Sequence, residues 1–237
     1  MMKRILSAFL VAMLVTLSAQ AQNPTAEQIV DKYIQAIGGA KKWKAVKNMK
    51  LTVTLRTQGI DLPGEVHATA DGKQRMEFTY GGAKMIRAYD GTTAWTLDQF
   101  NGMMAPTKLE GDAAADMTDE EFLDEFIDYK EKGATVSYLG KEEYEGLPYH
   151  KVSKKEKDGE EAIFLFDEET GFLLLKRETA DGVVSETQFQ DYGEMNGLTM
   201  PMKVIGKANG QVLQSFIVKN AEFDVTTPAE LFAFPAK

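Results

Sequence analysis

Turn-forming dipeptides that contain glycine recur along most of this chain, and they constrain its fold more than any other feature of the sequence. Asp-Gly, Asn-Gly, Gly-Gly and Thr-Gly pairs tolerate the positive φ angles of tight hairpin turns. Several neighbouring pairs lie about ten residues apart, which is the spacing of an antiparallel meander. The pairs are Asp71-Gly72, Gly81-Gly82, Asp90-Gly91, Asn101-Gly102, Asp158-Gly159, Thr170-Gly171, Asp181-Gly182, Asn196-Gly197 and Asn209-Gly210.

The segments between these turns have the composition of β-strands. The segment from Leu51 to Leu55 alternates apolar and polar residues with the period of a half-buried strand. No helical pattern alternates with the strands as a parallel sheet would require, so we expect an antiparallel sheet with next-neighbour connections. We predict one mainly β domain over residues 22–237, with a single sheet of about eleven strands that curls around an enclosed space.

A helical lead-in precedes the first strand. Thr25 and Gln28 have the form of a capping box, and the helix that they begin is expected to end at Gly38-Gly39. A second, shorter helix is predicted around Trp43 and Val46. The first of these helices is amphipathic and is available to cover the concave face of the sheet.

A third helix is predicted between the two groups of turns. Thr118 and Glu121 form another capping box, and Gly133 marks the expected end of the helix. An apolar stripe in this segment would pack on the sheet as a plug or a lid. The stripe consists of Phe122, Leu123, Phe126 and Ile127.

The first residues have the pattern of a secretory signal peptide. A basic pair, Lys3-Arg4, precedes an apolar run from Ile5 to Leu17, and Ala19-Gln20-Ala21 supplies the small residues of a cleavage site. We predict that residues 1–21 are removed after Ala21 and that the remaining chain is periplasmic.

The composition excludes several kinds of functional site. The chain has no cysteine, so disulfides, thiolate metal sites and cysteine nucleophiles are ruled out. Acidic residues outnumber basic ones by 36 to 27, and the net charge of -9 argues against binding to nucleic acid. The two histidines, His67 and His150, lie in no catalytic or metal-binding motif. We therefore predict no catalytic residues, no metal and no cofactor.

Methionine and aromatic residues are concentrated in the first meander. Methionine is flexible and polarisable, so it can line a site that accepts acyl chains of different shapes. Two adjacent methionines follow the Asn101-Gly102 turn, where both cannot easily be buried, and we expect them to flank the mouth of a cavity. The predicted lipid-binding residues are Leu51, Val53, Leu55, Met76, Phe78, Met85, Trp95, Met103, Met104, Phe122 and Phe126.

Four segments, spread over nearly the whole chain, match one protein family in the same order. The segment from Tyr89 to Trp95 has the pattern Asp-Gly-x-x-x-Trp, and the segment from Asp191 to Pro201 forms a late hairpin. An opening segment over residues 27–39 and a closing segment over residues 231–235 complete the set. Together they resemble the LolA/LolB-like, outer membrane lipoprotein-sorting proteins.

This resemblance implies an incomplete β-barrel of about eleven antiparallel strands, with helices over a cavity that takes acyl chains. Carriers of this kind pass acylated lipoproteins from an inner-membrane release complex to an outer-membrane acceptor, without chemistry on the cargo. The acceptor is itself a lipoprotein, so a chain without cysteine fits the soluble carrier. In the carrier a strand arginine holds the lid helices shut, and Lys73 and Arg75 are the candidates for this latch.

We therefore predict a monomeric, non-enzymatic periplasmic protein that binds or carries a lipid or an acylated lipoprotein. Two alternatives remain open. The same fold with a filled interior would suit a scaffold that binds a protein or a glycan. A secreted hydrolase would require two carboxylates, such as those of Glu65, Glu77 and Asp98, to converge in one pocket with a raised pKa on one of them.

Overall fold

The structure, a computed structural model, describes residues 23–118 and 122–235. The predicted signal peptide and Glu121 of the second capping box lie outside the described residues. Three helices are present in the described ranges, namely α1 (Ala26–Ala36), α2 (Ala40–Ala45) and α3 (Asp112–Thr118). None of the helices in these ranges is long and apolar enough to span a membrane.

One antiparallel sheet contains all the strands of the described residues. Its strands are β1 (Asn48–Thr57), β2 (Ile60–Thr69), β3 (Gln74–Tyr80), β4 (Ala83–Tyr89), β5 (Ala94–Asp98), β6 (Thr107–Lys108), β7 (Thr135–Tyr144), β8 (Leu147–Lys155), β9 (Glu161–Asp167), β10 (Leu173–Ala180), β11 (Val183–Met195), β12 (Leu198–Ala208) and β13 (Gln211–Phe223).

The sheet consists of two meanders that meet at a central seam. The strand order is β6-β5-β4-β3-β2-β1-β13-β12-β11-β10-β9-β8-β7, so the first and the last strand pair with each other. The strands β6 and β7 follow each other in the chain but lie at opposite edges, and the sheet is therefore not closed into a barrel. The predicted single antiparallel sheet with covering helices is confirmed.

The sheet has 13 strands where about eleven were predicted. Two of the hairpins turn at Gln58-Gly59 and Glu145-Gly146, where Gln58 has a φ of 50° and Glu145 a φ of 51°. Glutamine and glutamate are not typical turn residues at positive φ, so these turns carry a weaker signal than an Asp-Gly or Asn-Gly pair. The strand β6 has only two residues and leaves no detectable sequence pattern.

The two faces of the sheet differ in what packs on them. Side chains alternate along each strand, and we call the face that packs against α1 and α2 the inner face. Phe223 belongs to it, because its ring packs against α2. Direct pairing leads from Phe223 through Met49 and Ala68 to Gln74, which therefore faces the same way. The amide of Gln74 donates to the main-chain carbonyl of Met117 in α3, so α3 also lies on the inner face.

The C-terminal segment covers part of the opposite, outer face. Direct pairing links Trp95 of β5 to Ala88 and Ala88 to Arg75, so these three side chains share one face. Each of them is adjacent in its strand to a residue that faces inward, so they lie on the outer face. The indole of Trp95 donates to the carbonyl of Phe232 at 2.8 Å, and its ring packs edge-to-face on Phe234. The outer face of β3 to β5 is thus filled by the chain itself.

Helix α1 is held firmly on the inner face. The predicted capping box of Thr25 and Gln28 is confirmed in both directions. Lys32 donates to the carbonyls of Glu168 and Glu169 at 2.7 and 2.9 Å, which ties α1 to the β9–β10 turn.

The corner between α1 and α2 docks on the β11–β12 hairpin. The carbonyl of Ile37 accepts hydrogen bonds from the main chain of Thr199 and from the indole of Trp43. Gly38 has a φ of 106°, and a Cβ atom there would lie 2.7 Å from the carbonyl oxygen of Gly197. Only glycine satisfies both the backbone angle and this close approach.

The third predicted helix, over residues 118–133, is wrong. The structure places α3 earlier, and residues 122–134, which we call the strap, form bends and turns. Two features oppose a helix there, because the carboxylate of Asp124 accepts from the main-chain N–H of Phe126 and Asp128 has a φ of 63°. The apolar stripe is nevertheless buried, since Phe126 and Ile127 have no exposed surface.

Candidate ligand-binding face

An apolar cluster on the inner face spans six of the strands around the seam. Its buried centre is surrounded by side chains that are only half-buried, and we call the whole cluster the apolar patch. The centre consists of Val53, Leu55, Leu62, Phe78 and Val218, and the rim of Leu51, Val66, Met76, Met85, Met202 and Phe216.

Strand register explains why these residues meet. Val218, Val53, Gly64, Phe78 and Met85 form one continuous row of paired positions from β13 to β4. The missing side chain at Gly64 leaves the space that the ring of Phe78 occupies, because a Cβ atom there would be 2.4 Å from that ring. The row therefore presents a low apolar floor, with Met85 at one end.

The other half of the inner face is filled by aromatic rings. Phe126 of the strap meets Phe164 edge-to-face with ring centroids 4.8 Å apart, and it also contacts Phe166 and Tyr33. These rings belong to the main core that α1, α2 and the strap form with β7 to β13. Helix and strap side chains occupy this half, whereas the apolar patch, among the described residues, is formed by strand side chains alone.

A polar cavity of about 750 Å³ lies beside the aromatic core, between the strap and β8 to β11. Lys154 forms ion pairs with Glu125 at 3.3 Å and with Glu156 at 2.6 Å. Lys176 forms ion pairs with Glu125 at 3.5 Å and with Glu178 at 3.1 Å. Side chains of both charges therefore line the cavity at close range.

Two carboxylates of the strap are buried next to this cavity. Burial raises the pKa of Asp124, although hydrogen bonds from the Tyr33 hydroxyl and the Phe126 N–H act in the opposite direction. Burial likewise raises the pKa of Glu125, and the charges of Lys176 and Lys154 offset only part of the effect. The Tyr33 hydroxyl donates to Asp124 at 2.5 Å and so joins α1 to the strap.

The structure brings together six of the predicted lipid-binding residues. Leu51, Val53, Leu55, Met76, Phe78 and Met85 all belong to the apolar patch.

The other five predicted residues lie elsewhere. Phe122 and Phe126 belong to the aromatic core of the inner face. Trp95 lies on the outer face, where Phe234 covers it. Met103 and Met104 follow the turn after β5, and Met104 is 75% exposed. The alternation of a strand shows which residues share a face, but not which face the helices cover, so the placement of Trp95 was not evident from its sequence position.

Several patch residues were not anticipated. Leu62 and Val66 come from β2, Met202 from β12, and Phe216 and Val218 from β13. Each of these residues lies in a strand segment in which side chains alternate between the two faces. This alternation is the one feature of the sequence that points to them. Their meeting depends on the pairing of β1 with β13, which no local pattern indicates.

Within the described residues, the hydrogen bonds of Lys73 and Arg75 do not reach any of the three helices. The ammonium of Lys73 pairs with Asp71 at the adjacent turn. Arg75 lies on the outer face, where it donates to the carbonyl of Leu231 and to Glu77 and stacks over Trp95. Its contacts hold the C-terminal segment in place.

The three carboxylates that were considered as catalytic groups of a hydrolase take part in other interactions in this structure. The hydrogen bond from Lys50 holds the pKa of Glu65 below its ordinary value. Burial alone would raise the pKa of Glu77, but Lys84 and Arg75 outweigh it and the pKa is lowered. Asp98 accepts from the main chain of Asn101 and caps a short turn. The lowered pKa values of Glu65 and Glu77 are the opposite of what a general acid requires.

No family model and no curated protein sequence matches the chain. Among solved structures, it is similar to a LolA superfamily protein from Nitrosomonas europaea, with a TM-score of 0.56 and 10% identity over 89% of this chain and 98% of the other. It is also similar to a domain from Vibrio parahaemolyticus named for outer membrane lipoprotein sorting, with a TM-score of 0.55 and 11% identity over 86% and 97% of the two chains.

A third similar structure is a DUF1329 family protein from Desulfovibrio piger, with a TM-score of 0.55 and 10% identity over 89% of this chain and 98% of the other. Each of these matches covers at least 86% of this chain. The fold expected from the resemblance is confirmed: this protein has the fold of the LolA superfamily.

Proposed function

We propose that the protein binds the acyl chains of a lipid or an acylated lipoprotein on the apolar patch, and carries them through the periplasm as a monomer without chemistry on the cargo. The observation that carries this proposal is the half-buried rim of the patch. Six apolar side chains there remain accessible on the face that the helices partly cover.

The energetics of burial favour an acyl ligand. Covering apolar surface contributes about 0.8 kcal/mol per buried CH₂ group, so one long chain supplies several kcal/mol after the cost of ordering it. Met76, Met85 and Met202 lie around the patch, and their flexible side chains adapt to chains of different shape.

A non-enzymatic role agrees with the electrostatics of the patch and its surroundings. The row from Val218 to Met85 contains no titratable side chain. The carboxylates of Glu65 and Glu77 are engaged in ion pairs and have lowered pKa values. At the patch itself, binding and release of the acyl chains then depend on apolar contacts.

The likeness to a domain named for lipoprotein sorting supports a place in that process. In this role the protein accepts its cargo from an inner-membrane release complex and delivers it to an outer-membrane acceptor. Helix α1 is tied to the β9–β10 turn through Lys32, and α2 to the β11–β12 turn through Lys42, so we expect α3, which lies near β4 and β5, to move aside when the patch is loaded.

Native mass spectrometry of the chain from Gln22 onwards, purified without detergent, tests the proposal. We expect a discrete added mass that organic extraction removes, and uptake of a fluorescent fatty acyl probe by the extracted protein. Met85→Asp places a charge on the rim of the patch and is expected to abolish uptake. Val212→Asp is the matched control, because Val212 is exposed on β13 outside the patch.

Two results would contradict the proposal. One is the absence of both co-purified lipid and probe uptake in the wild-type protein. The other is equal uptake by the wild type and Met85→Asp, which would place the ligand elsewhere on the molecule.

A further inference from the structure

The polar cavity and the apolar patch open on the same face of the sheet. Direct pairing links Val152 to Phe164, and Phe164 to Lys176, so all three share one face. Val152 and Phe164 belong to the core beneath α1, which identifies that face as the inner one. Lys154 lies two residues after Val152 in β8 and therefore also points inward.

A shallow path connects the two sites across the middle of the sheet. The row that contains Lys176 continues through Thr187 and Gly206, whose side chains are small or absent. The neighbouring row contains Val204 and Phe216, and Phe216 belongs to the rim of the patch. Three strand spacings separate β10 from β13, a distance of about 14 Å, which one extended amphiphile spans.

The charges in the cavity form two mixed ion-pair groups that share Glu125. Burial lowers the pKa of Lys176, but Glu125 and Glu178 outweigh it and hold the pKa above its ordinary value. An ammonium and carboxylates thus lie side by side in a partly dehydrated space. A ligand with a single charge is repelled by the side chains of like charge in the cavity. A zwitterionic group pairs with the lysine and the glutamate side chains at the same time.

We propose that the polar cavity binds a zwitterionic head group of the same ligand whose acyl chains lie on the apolar patch. This inference rests on the proposed function, since it names the lipid class that the patch would take. The ammonium of the head group faces Glu178 and Glu125, and its phosphate faces Lys176. Uncharged lipids then bind by their chains alone.

A competition between two lipids with identical chains tests the assignment. Extracted protein from Gln22 onwards is exposed to micelles that contain equal amounts of dioleoyl phosphatidylethanolamine and dioleoylglycerol, and the bound lipid is counted by native mass spectrometry. We expect the zwitterionic lipid to be preferred about tenfold, equivalent to about 1.4 kcal/mol.

Three variants separate the two sites. Lys176→Met keeps the length of the side chain and removes its charge. Glu178→Gln is a milder change, because the Glu178 side chain is about half exposed and its loss does not threaten folding. We expect both to reduce the preference to about twofold or less while total lipid uptake is kept. Met85→Asp is expected to lose both lipids.

The outcomes distinguish this inference from the proposed function. If wild-type protein takes up both lipids equally, or if Lys176→Met and Glu178→Gln retain the full preference, the ion pairs are structural only and the head-group site is refuted. In that case acyl binding by the patch still stands. If the wild-type protein takes up neither lipid, the proposed function fails as well.

Discussion

The two halves of the inner face follow the same strand alternation but differ in what fills them. Over β7 to β11, rings from α1 and the strap interlock with rings from the sheet, and Phe126, Phe164 and Phe166 have no exposed surface. Around the seam, the apolar patch has a buried floor and a half-buried rim that includes three methionines. The first half has the packing of a core, and the second has the half-buried apolar surface on which the proposed ligand would lie.

Under the proposed function, this difference lets one sheet separate stability from binding. Edge-to-face aromatic pairs have specific geometry and resist rearrangement. Methionine and leucine side chains adjust more readily to an added chain. A protein that holds a variable ligand benefits when the adjustable residues lie apart from those that maintain the fold.

The largest effect is expected from Phe126→Ala. This change leaves a cavity where three other rings meet, and it should lower the free energy of unfolding by about 4 kcal/mol. Phe216→Ala, on the rim of the patch, should cost less than half as much because the ring is already half-exposed. Urea unfolding measures both. Equal losses would show that the patch is an ordinary structural core and would remove the contrast between the two halves.

Gly64→Ala is expected to have the next largest effect. The new methyl group would meet the ring of Phe78 and the carbonyl oxygen of Glu77, each at under 3 Å, and the overpacking should cost about 2 kcal/mol. It should also reduce uptake of an acyl probe, since Phe78 forms the floor of the patch. Gly206→Ala serves as the control for stability alone, because its methyl group would find its nearest neighbour at an ordinary 3.6 Å. A stable Gly64→Ala protein would contradict the packing described here.

Asp124→Asn tests the electrostatics of the aromatic half. Burial has the largest effect on the pKa of Asp124 and raises it. The titratable groups that also interact with this carboxylate are those of Tyr33, Lys154, Lys132, Glu125 and Tyr192. A raised pKa means that the folded state binds the proton more tightly. The resulting stabilisation is fully present below the unfolded pKa of about 3.9 and is lost as the pH rises through the folded pKa.

The wild type should therefore gain stability relative to Asp124→Asn as the pH falls from about 7 to about 4. Thermal unfolding across that range measures the difference between the two proteins. Asp181→Asn, at an exposed turn, is the matched control and should show no such trend. A difference that shrinks on acidification would mean that the pKa of Asp124 is lowered.

Met85→Ala should have the smallest effect on the empty protein, at about 1 kcal/mol or less. With a saturating acyl ligand the difference in stability between the wild type and Met85→Ala should increase, because the wild type gains more stability from binding. The melting temperature with and without ligand measures this, and Val212→Ala is the control. A gap that stays constant would indicate that Met85 does not touch the ligand.

Local signals in the sequence predicted much of this fold. The glycine of each turn dipeptide adopts a positive φ, as expected for Gly72, Gly159 and Gly210. The capping box of α1 was also evident, because both of its partners lie within one turn of the helix. Signals of this kind depend on neighbours in the chain, and these turns and this capping box formed as predicted.

The remaining features depend on residues far apart in the sequence. The stripe around Phe126 has helical spacing, but its contacts with Phe164 and Tyr33 and the hydrogen bonds of Asp124 hold it in an irregular strap. The patch combines β2 and β12, which become close only through the seam. The polar cavity was not anticipated, since Lys154 and Lys176 are unremarkable until the sheet brings both to Glu125.

The seam between β1 and β13 has a consequence for the speed of folding. Each meander can form from hairpins between neighbouring strands, but Thr52 must find Asn220 across nearly the whole sheet-forming chain. Closing so long a loop costs entropy before any seam contact offsets it. Folding dominated by such distant pairings proceeds in milliseconds to seconds or slower. Since the seam also assembles the floor of the apolar patch, we expect the patch to form late in folding, after the hairpins of each meander.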